Sequence, residues 1–305
     1  AAFHTCSKLS RPPCCRSRAT RLSAMRQDLH TKFQTDGYLV IEDFLTNEEV
    51  SKLRTAGVSL AENIPSEEQK VTFSTKQNNQ YNGSYFLESG DKIRYFYETE
   101  ALDEKGNLKI DASQALNKVG HALHWLHPDF KEVSFSEKVQ ELCKALQLDD
   151  PVIVQSMYIY KNPKIGGEVV PHQDSTYLYT EPNTLIGLWF PLDDCSAENG
   201  CLSFIPGSHT SGTHRRMMRS SDPESEGPIV FDRPPVLYPS SSFTPCPVPK
   251  GSCVVIHGDV VHKSDQNRSS LPRHAYTFHV MDVASKFSPD NWLQSPVGFP
   301  LLYSD

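Results

Sequence analysis

The sequence predicts a mainly β protein: an antiparallel barrel or jelly roll with helices packed on one side. Beyond Pro151, the runs VIVQSMYIYK, TLIGLWFPL, GCLSFIPGS, GSCVVIHG and HAYTFHVMD are short and rich in β-branched and aromatic residues. Gly, Pro, Asn and Asp turns separate them, and no helix of any length fits between them. The helical patterns all lie before Pro151. Helices followed by at least six strands with long returns is the order of a barrel or jelly roll carrying a helical layer.

Taken in order, a short helical pattern follows Met25, and YLVIEDF (38–44) reads as a strand. Thr46-Asn-Glu-Glu49 is a capping box, because the threonine can accept from the third amide while the glutamate reaches back. It starts a helix through about Ala61. Residues 63–84 are polar and read as loop, and FLESGDKIRYFYE (86–98) as a strand. Leu116, Val119, Leu123 and Leu126 recur at helical spacing, as do Val139, Leu142 and Leu146, which predicts two amphipathic helices. Residues 215–249 interrupt the later strands with eight prolines and a serine run, and are expected to be a long irregular loop, disordered or a lid over a site. There are no internal repeats.

A chain of 305 residues can bury a full core. No window approaches the roughly 18–20 continuous apolar residues of a membrane helix. The eight cysteines show no paired spacing beyond Cys14-Cys15, which favours reduced thiols in an intracellular, cytoplasmic protein. Residues 1–24 carry five basic residues and no acid. They read as a disordered extension foreign to the mature domain, or as an Arg-rich mitochondrial transit peptide. Residues 25–305 are expected to form one domain. Their 25 basic against 37 acidic groups argue against non-specific nucleic-acid binding, so no nucleic-acid partner is expected. Oligomeric state is not legible.

His-x-Asp should occur a little under once by chance, yet it occurs three times, at His127/Asp129, His172/Asp174 and His257/Asp259. An open Fe(II) site for oxygen chemistry commonly takes two histidines and one carboxylate on one face of the ion. On a strand, residues two apart point the same way, so His172 and Asp174 can be a close pair. Gly166-Gly167 turns the chain just before them, and Pro171 ends the regular ladder beside them. The third ligand should come from a later strand, with His209, His257, His262, His274 and His279 as candidates. His262 follows Val260-Val261 and precedes Lys263-Ser264, which suits a ligand at a cavity mouth. His257 fits a core or supporting role equally well. His209, in the IPGSH turn, could lie near the site without touching metal. His127 reads as surface, and His121, His124 and His127 together as the polar side of a packed helix. Arg273, eleven residues past His262, could hold the far carboxylate of a dicarboxylate co-substrate with its planar fork; a surface arginine is the plain alternative.

These residues resemble the phytanoyl-CoA dioxygenase family of Fe(II)/2-oxoglutarate oxygenases. The likeness rests on FQTDGYLV, SGDKIRYFYE, NKVGHALH, VQSMYIYK, GGEVVPHQDSTYLYTEP, ENGCLSFIPGSHTSG, IHGDVVHKSDQN, AYTFHVMD and SPDNWLQ, in order, from about Met25 to the end. Residues 1–24 and the composition of the 215–249 loop lie outside it. The resemblance implies a double-stranded β-helix (jelly roll, cupin-like) with iron held by His172, Asp174 and His262. It further implies 2-oxoglutarate contacts at Lys118, Met157, Trp189, Ser264 and Arg273, with Arg273 on the distal carboxylate. Without the family, Met157 and Trp189 would read as core and Lys118 as a solvated charge. The implied reaction couples oxidative decarboxylation of 2-oxoglutarate by O2 to succinate and CO2 with hydroxylation of a small-molecule substrate. Family analogy suggests a lipid or acyl-CoA-like substrate, and His214, Arg215, Arg216 and Arg219 offer phosphate-binding candidates or a plain basic loop. Asp174 disfavours halogenation, which needs that ligand position vacant. A non-catalytic metal- and 2-oxoglutarate-binding or sensing protein on the same barrel is the alternative, and a zinc cupin-like isomerase a third.

Overall fold

The computed structural model describes residues 29–75, 83–225 and 227–303; the expectations for residues 1–24 lie outside these. Helix α1 (29–36) leads into β1 (Tyr38–Ile41), α2 (Asn47–Glu62), β2 (Val71–Phe73), α3 (Ser84–Leu87), β3 (Ile93–Glu98) and β4 (Leu116–His121). Helices α4 (Leu123–Leu126), α5 (Pro128–Ser134) and α6 (Glu137–Ala145) follow. Next come β5 (Pro151–Ile159), β6 (Val169–His172), β7 (Thr180–Glu181), β8 (Ile186–Pro191), β9 (Leu202–Phe204), β10 (Met217–Arg219) and β11 (Ile229–Phe231). The chain continues through β12 (Thr244–Cys246), β13 (Cys253–His257), β14 (His262–Ser264), β15 (Ala275–Asp282) and β16 (Lys286–Phe287). Among the described residues past Pro151, the helical pieces are 3-10 turns only.

Two sheets form the jelly roll. The larger has the order β1-β13-β8-β15-β5-β4-β3-β2, and the smaller β12-β9-β14-β6. The chain crosses repeatedly between them, so that the sequence neighbours β5 and β6, or β13 and β14, lie in different sheets. This is the cupin-like, double-stranded β-helix arrangement. Strand alternation divides the larger sheet into two faces. Tyr158, Leu188, Phe190, Val255, Tyr276 and Phe278 point outward into a core shared with Leu53, Phe130, Val133 and Val139 of the helices. Met157, Trp189, Ile256, Thr277 and His279 point inward and line a cavity against the smaller sheet.

The capping box forms as expected: Glu49 N donates to Thr46 Oγ1 at 3.2 Å, and Thr46 N to Glu49 Oε2 at 2.7 Å. Helix α2 then lies against β5 through Gly57, where a Cβ would intrude on the Tyr158 ring and where Tyr160 OH donates to the Gly57 carbonyl at 2.7 Å. The helix around Val139 and Leu142 also forms, with Leu146 as its C-cap.

Four local expectations are corrected. Residues 116–121 form strand β4, not a helix, because β3 and β5 pair with it on both sides and both its faces are covered. Tertiary pairing overrides the spacing of its leucines. Residues 86–92 are not strand: Leu87 closes the short helix α3, and β3 starts only at Ile93. The expected 63–84 loop carries β2, paired in parallel with β3. Residues 215–249 hold β10 and β11, paired together, and β12, which extends the smaller sheet. None of their described residues lines the cavity.

Candidate active site

The cavity between the sheets has a volume of about 170 Å³. At one end His172, Asp174 and His262 converge, with one potential ligand atom from each lying within 4.8 Å of the others. His172 ends β6, and His262 begins β14 as its direct cross-strand partner, so sheet pairing itself brings the two imidazoles together. Their ring centroids are 4.2 Å apart. Asp174 does not continue the strand as the i, i+2 argument assumed. It opens a 3-10 turn, Asp174–Thr176, which still brings Oδ1 to 3.5 Å from His172 Nε2 and 3.7 Å from His262 Nε2.

The donor set suits a divalent transition metal. His172 Nδ1 lies 2.9 Å from the Val170 carbonyl, and His262 Nδ1 3.1 Å from the Val260 carbonyl. A carbonyl only accepts, so each Nδ1 carries the proton and each Nε2 turns its lone pair toward the shared space. Burial, with His172 beside it, pushes the His262 pKa down to about 4, keeping the ring neutral near pH 7. For Asp174, burial acts to raise the pKa, but His279, His262 and His172 outweigh it and hold the carboxyl well below its usual range. Two neutral imidazoles and a carboxylate on one side of an ion leave its other side open.

A buried cation lines the same cavity. Arg273 is 2% exposed, and its Nη2 donates to Ser264 Oγ at 3.1 Å, while Nε and Nη1 have no partner. Burial draws its pKa down from an ordinary value high enough for the guanidinium to stay charged. Nη1, with the second N–H of Nη2, presents a two-point edge of a buried cation that matches the two oxygens of a carboxylate. Trp189 lies under this guanidinium, 5.2 Å from its ring centroid. Met157 and Lys118 complete the same lining, and the Lys118 ammonium sits 3.5 Å over the Phe73 ring. Burial alone pulls the Lys118 pKa down to about 7. The structure therefore gathers all eight predicted site residues into one cavity.

The other candidate histidines, His279 excepted, stand apart from the triad. His209 packs under Gly37, with Nε2 3.0 Å from the Gln34 carbonyl. His257 Nδ1 accepts from Asp259 N at 3.0 Å, and His274 Nδ1 meets Tyr158 OH at 2.6 Å. His124 Nδ1 meets Ser156 Oγ at 2.8 Å. His121, read as the polar side of a helix, instead lies on β4 and lines the cavity, with Nδ1 2.8 Å from Ser89 Oγ. Arg215, Arg216 and Arg219 do not line the cavity. Arg219 donates to the Trp292 and Leu87 carbonyls, Arg216 to Ser288 Oγ and Arg215 to the Arg233 carbonyl. Each thus makes a hydrogen bond within the protein, while Arg216 Nε has no partner.

Sequence reasoning missed Gln155, Lys161 and Glu98, all lining the cavity. Glu98 is a buried carboxyl whose pKa burial raises to about 7, even though Gly167 N donates to it at 3.0 Å. His279 was a ligand candidate and proves to face Asp174, its Nε2 3.1 Å from Oδ2. Alternation counted back from Met157 and forward from Arg273 places Gln155 and His279 on the cavity face, a signal the sequence did hold.

The family model described as "Phytanoyl-CoA dioxygenase (PhyH)" matches residues 33–275. "Phytanoyl-CoA dioxygenase domain-containing protein 1" of Danio rerio is 47% identical over 283 residues, covering 90% of this chain and 97% of its own. "Phytanoyl-CoA dioxygenase" of Arabidopsis thaliana is 42% identical over 263 residues, covering 86% and 91%. Among solved structures, the epimerase SnoN in complex with Fe3+, alpha ketoglutarate and nogalamycin RO superposes with a TM-score of 0.61 at 16% identity, over 92% of this chain and 99% of that one. EctD from S. alaskensis with 2-oxoglutarate and 5-hydroxyectoine gives 0.60 at 16% identity, over 90% and 84%. At that identity the two structures speak for the fold. The sequence match decides the family: this chain belongs to the phytanoyl-CoA dioxygenase family of iron- and 2-oxoglutarate-dependent oxygenases.

Proposed function

We propose that residues 25–305 act as one dioxygenase unit. It couples oxidative decarboxylation of 2-oxoglutarate to hydroxylation of a small, lipid-derived or acyl-CoA-like substrate. The observation that carries this is the pairing of an open two-histidine, one-carboxylate cluster with a buried arginine that has two free donors in the same cavity. A purely structural barrel has no reason to bury an unsatisfied guanidinium, which costs stability until a partner arrives.

In this reading His172, Asp174 and His262 hold the iron. Bound iron supplies the activation of dioxygen that the protein's own groups lack. Arg273 fixes the distal carboxylate of 2-oxoglutarate by a two-point fork, and Ser264 holds that fork in plane. Trp189 and Met157 wall the co-substrate, and Lys118 adds a second cation toward its negative charge. The pinned Nδ1 protons keep both imidazoles oriented, so co-substrate binding needs no reorganisation of the ligands. Phe73, Phe86, Tyr177, Leu178 and Trp292 line the same cavity and support an apolar substrate. Buried free thiols at Cys143, Cys195, Cys201, Cys246 and Cys253 support an intracellular, cytoplasmic setting. Among the described residues, no helix is long and apolar enough to cross a membrane.

Purified protein with Fe(II), O2 and labelled 2-oxoglutarate is expected to release succinate and labelled CO2, and His172→Ala to abolish that release. Turnover that survives His172→Ala, or that is indifferent to 2-oxoglutarate, rejects the proposal. Iron and 2-oxoglutarate binding without any release points instead to a sensing protein.

A further inference from the structure

We propose that His279, itself fixed by Gln155, is a positioning residue that restricts Asp174 to single-oxygen coordination of the metal. This rests on the dioxygenase reading above and extends it to residues outside the triad.

The register of the larger sheet places Gln155 on β5, His279 on β15 and Gly187 on β8 in one row, since His279 pairs with both of the others. The row runs along the inner face beside Asp174. His279 Nε2 lies 3.1 Å from Asp174 Oδ2, and Gln155 Nε2 3.2 Å from His279 Nδ1. An amide nitrogen only donates, so Nδ1 is the acceptor and the ring proton sits on Nε2. The polarity of the chain is then set: Gln155 donates to His279, and His279 donates to Asp174. The opposite tautomer would face the Nε2 lone pair toward carboxylate lone pairs, a repulsion in a buried place.

Gly187 makes the meeting possible. A Cβ there would lie 3.2 Å from Asp174 Oδ2 and 3.5 Å from His279 Nε2, pressing on the pair from the third strand of the row. With Oδ2 tied back, Oδ1 is the oxygen that faces Nε2 of His172 at 3.5 Å and of His262 at 3.7 Å. A carboxylate free to rotate could chelate a cation through both oxygens and take up a position that keto acid or dioxygen needs. The bond from His279 opposes that and spares the open face.

The test uses the full chain under anaerobic conditions. Fe(II) affinity is read from quenching of tryptophan fluorescence, since Trp189 lines the cavity. Coordination is read from the visible charge-transfer band that appears when 2-oxoglutarate joins Fe(II). His279→Leu is expected to weaken Fe(II) binding by about 10–100-fold and to displace or diminish the band. His279→Gln, which keeps a side-chain N–H donor, is expected to recover most of both, and Gln155→Leu to give a smaller loss than His279→Leu. Affinity and band indistinguishable from wild type in His279→Leu overturn the proposal. So does a His279→Gln variant that folds with wild-type Tm yet binds as poorly as His279→Leu. If His279→Leu does not fold, Gln155→Leu decides, and a wild-type band and affinity there overturn it. His172→Ala separates the two levels: wild-type Fe(II) affinity in that variant refutes the metal centre itself, whatever His279 does.

Discussion

Replacing Arg273 by leucine tests the co-substrate site most directly. The guanidinium is buried, spends one nitrogen on Ser264 at 3.1 Å and leaves Nε and Nη1 unpaired. A carboxylate arriving at the Nη1/Nη2 edge gains two charge-assisted hydrogen bonds, and one such bond to a charged group contributes about 1.5–3 kcal/mol. Taking about 3 kcal/mol for the fork, since the two bonds do not add fully, the loss corresponds to roughly 100-fold in affinity. Initial rates of CO2 release against 2-oxoglutarate concentration should show KM rising by about that factor, with kcat much less affected, because the distal carboxylate is bound equally before and during reaction. The free protein should behave in the opposite sense. Removing a buried charge that lacks full pairing relieves a cost, so Arg273→Leu should melt no lower than wild type while losing the rise in Tm that 2-oxoglutarate confers. Arg273→Lys should fall between, keeping charge without the planar fork. A KM close to wild type in Arg273→Leu, or an undiminished thermal shift with 2-oxoglutarate, would refute the reasoning.

Gly57→Val should destabilise the fold by about 1–3 kcal/mol, because the new side chain meets the Tyr158 ring where α2 lies on β5. Differential scanning fluorimetry should register a fall in Tm, and an unchanged Tm contradicts the close approach. Lys118 adds a pH signature: its folded pKa of about 7 lies below the unfolded value of about 10.4, so the unfolded chain holds the extra proton between them. The cost of burying Lys118 is therefore full below pH 7 and relieved as pH rises toward 10. Lys118→Met should raise the unfolding midpoint of the metal-free protein more at pH 6.5 than at pH 9.5, and an equal gain at both rejects the burial argument.

Much of this molecule was legible along the chain. The turn residues between Pro151 and Asp282 mark short strands, and Thr46 with Glu49 marks the start of α2, because both signals act over a few neighbouring residues. His172 and Asp174 stood out for a local reason as well, lying close together after a glycine turn. Residues 116–121 misled because leucines three and four apart suit a helix and also suit a strand covered on both faces. Local spacing has no access to the partners, β3 and β5, that settle the matter.

What the sequence determined by itself was the class of architecture, the order of its elements and, through a string of family phrases, the ligand set to look for. Tertiary structure decided which side chains share space. His262 rather than His257 stands opposite His172 because β14 pairs with β6 while β13 pairs with β1 and β8. The Gln155–His279–Asp174 chain exists because three strands and a turn, distant in sequence, arrive in one register. Alternation tells which face a residue takes, but register across strands is set by the burial of the whole sheet, and so it appears only once the chain has closed on itself.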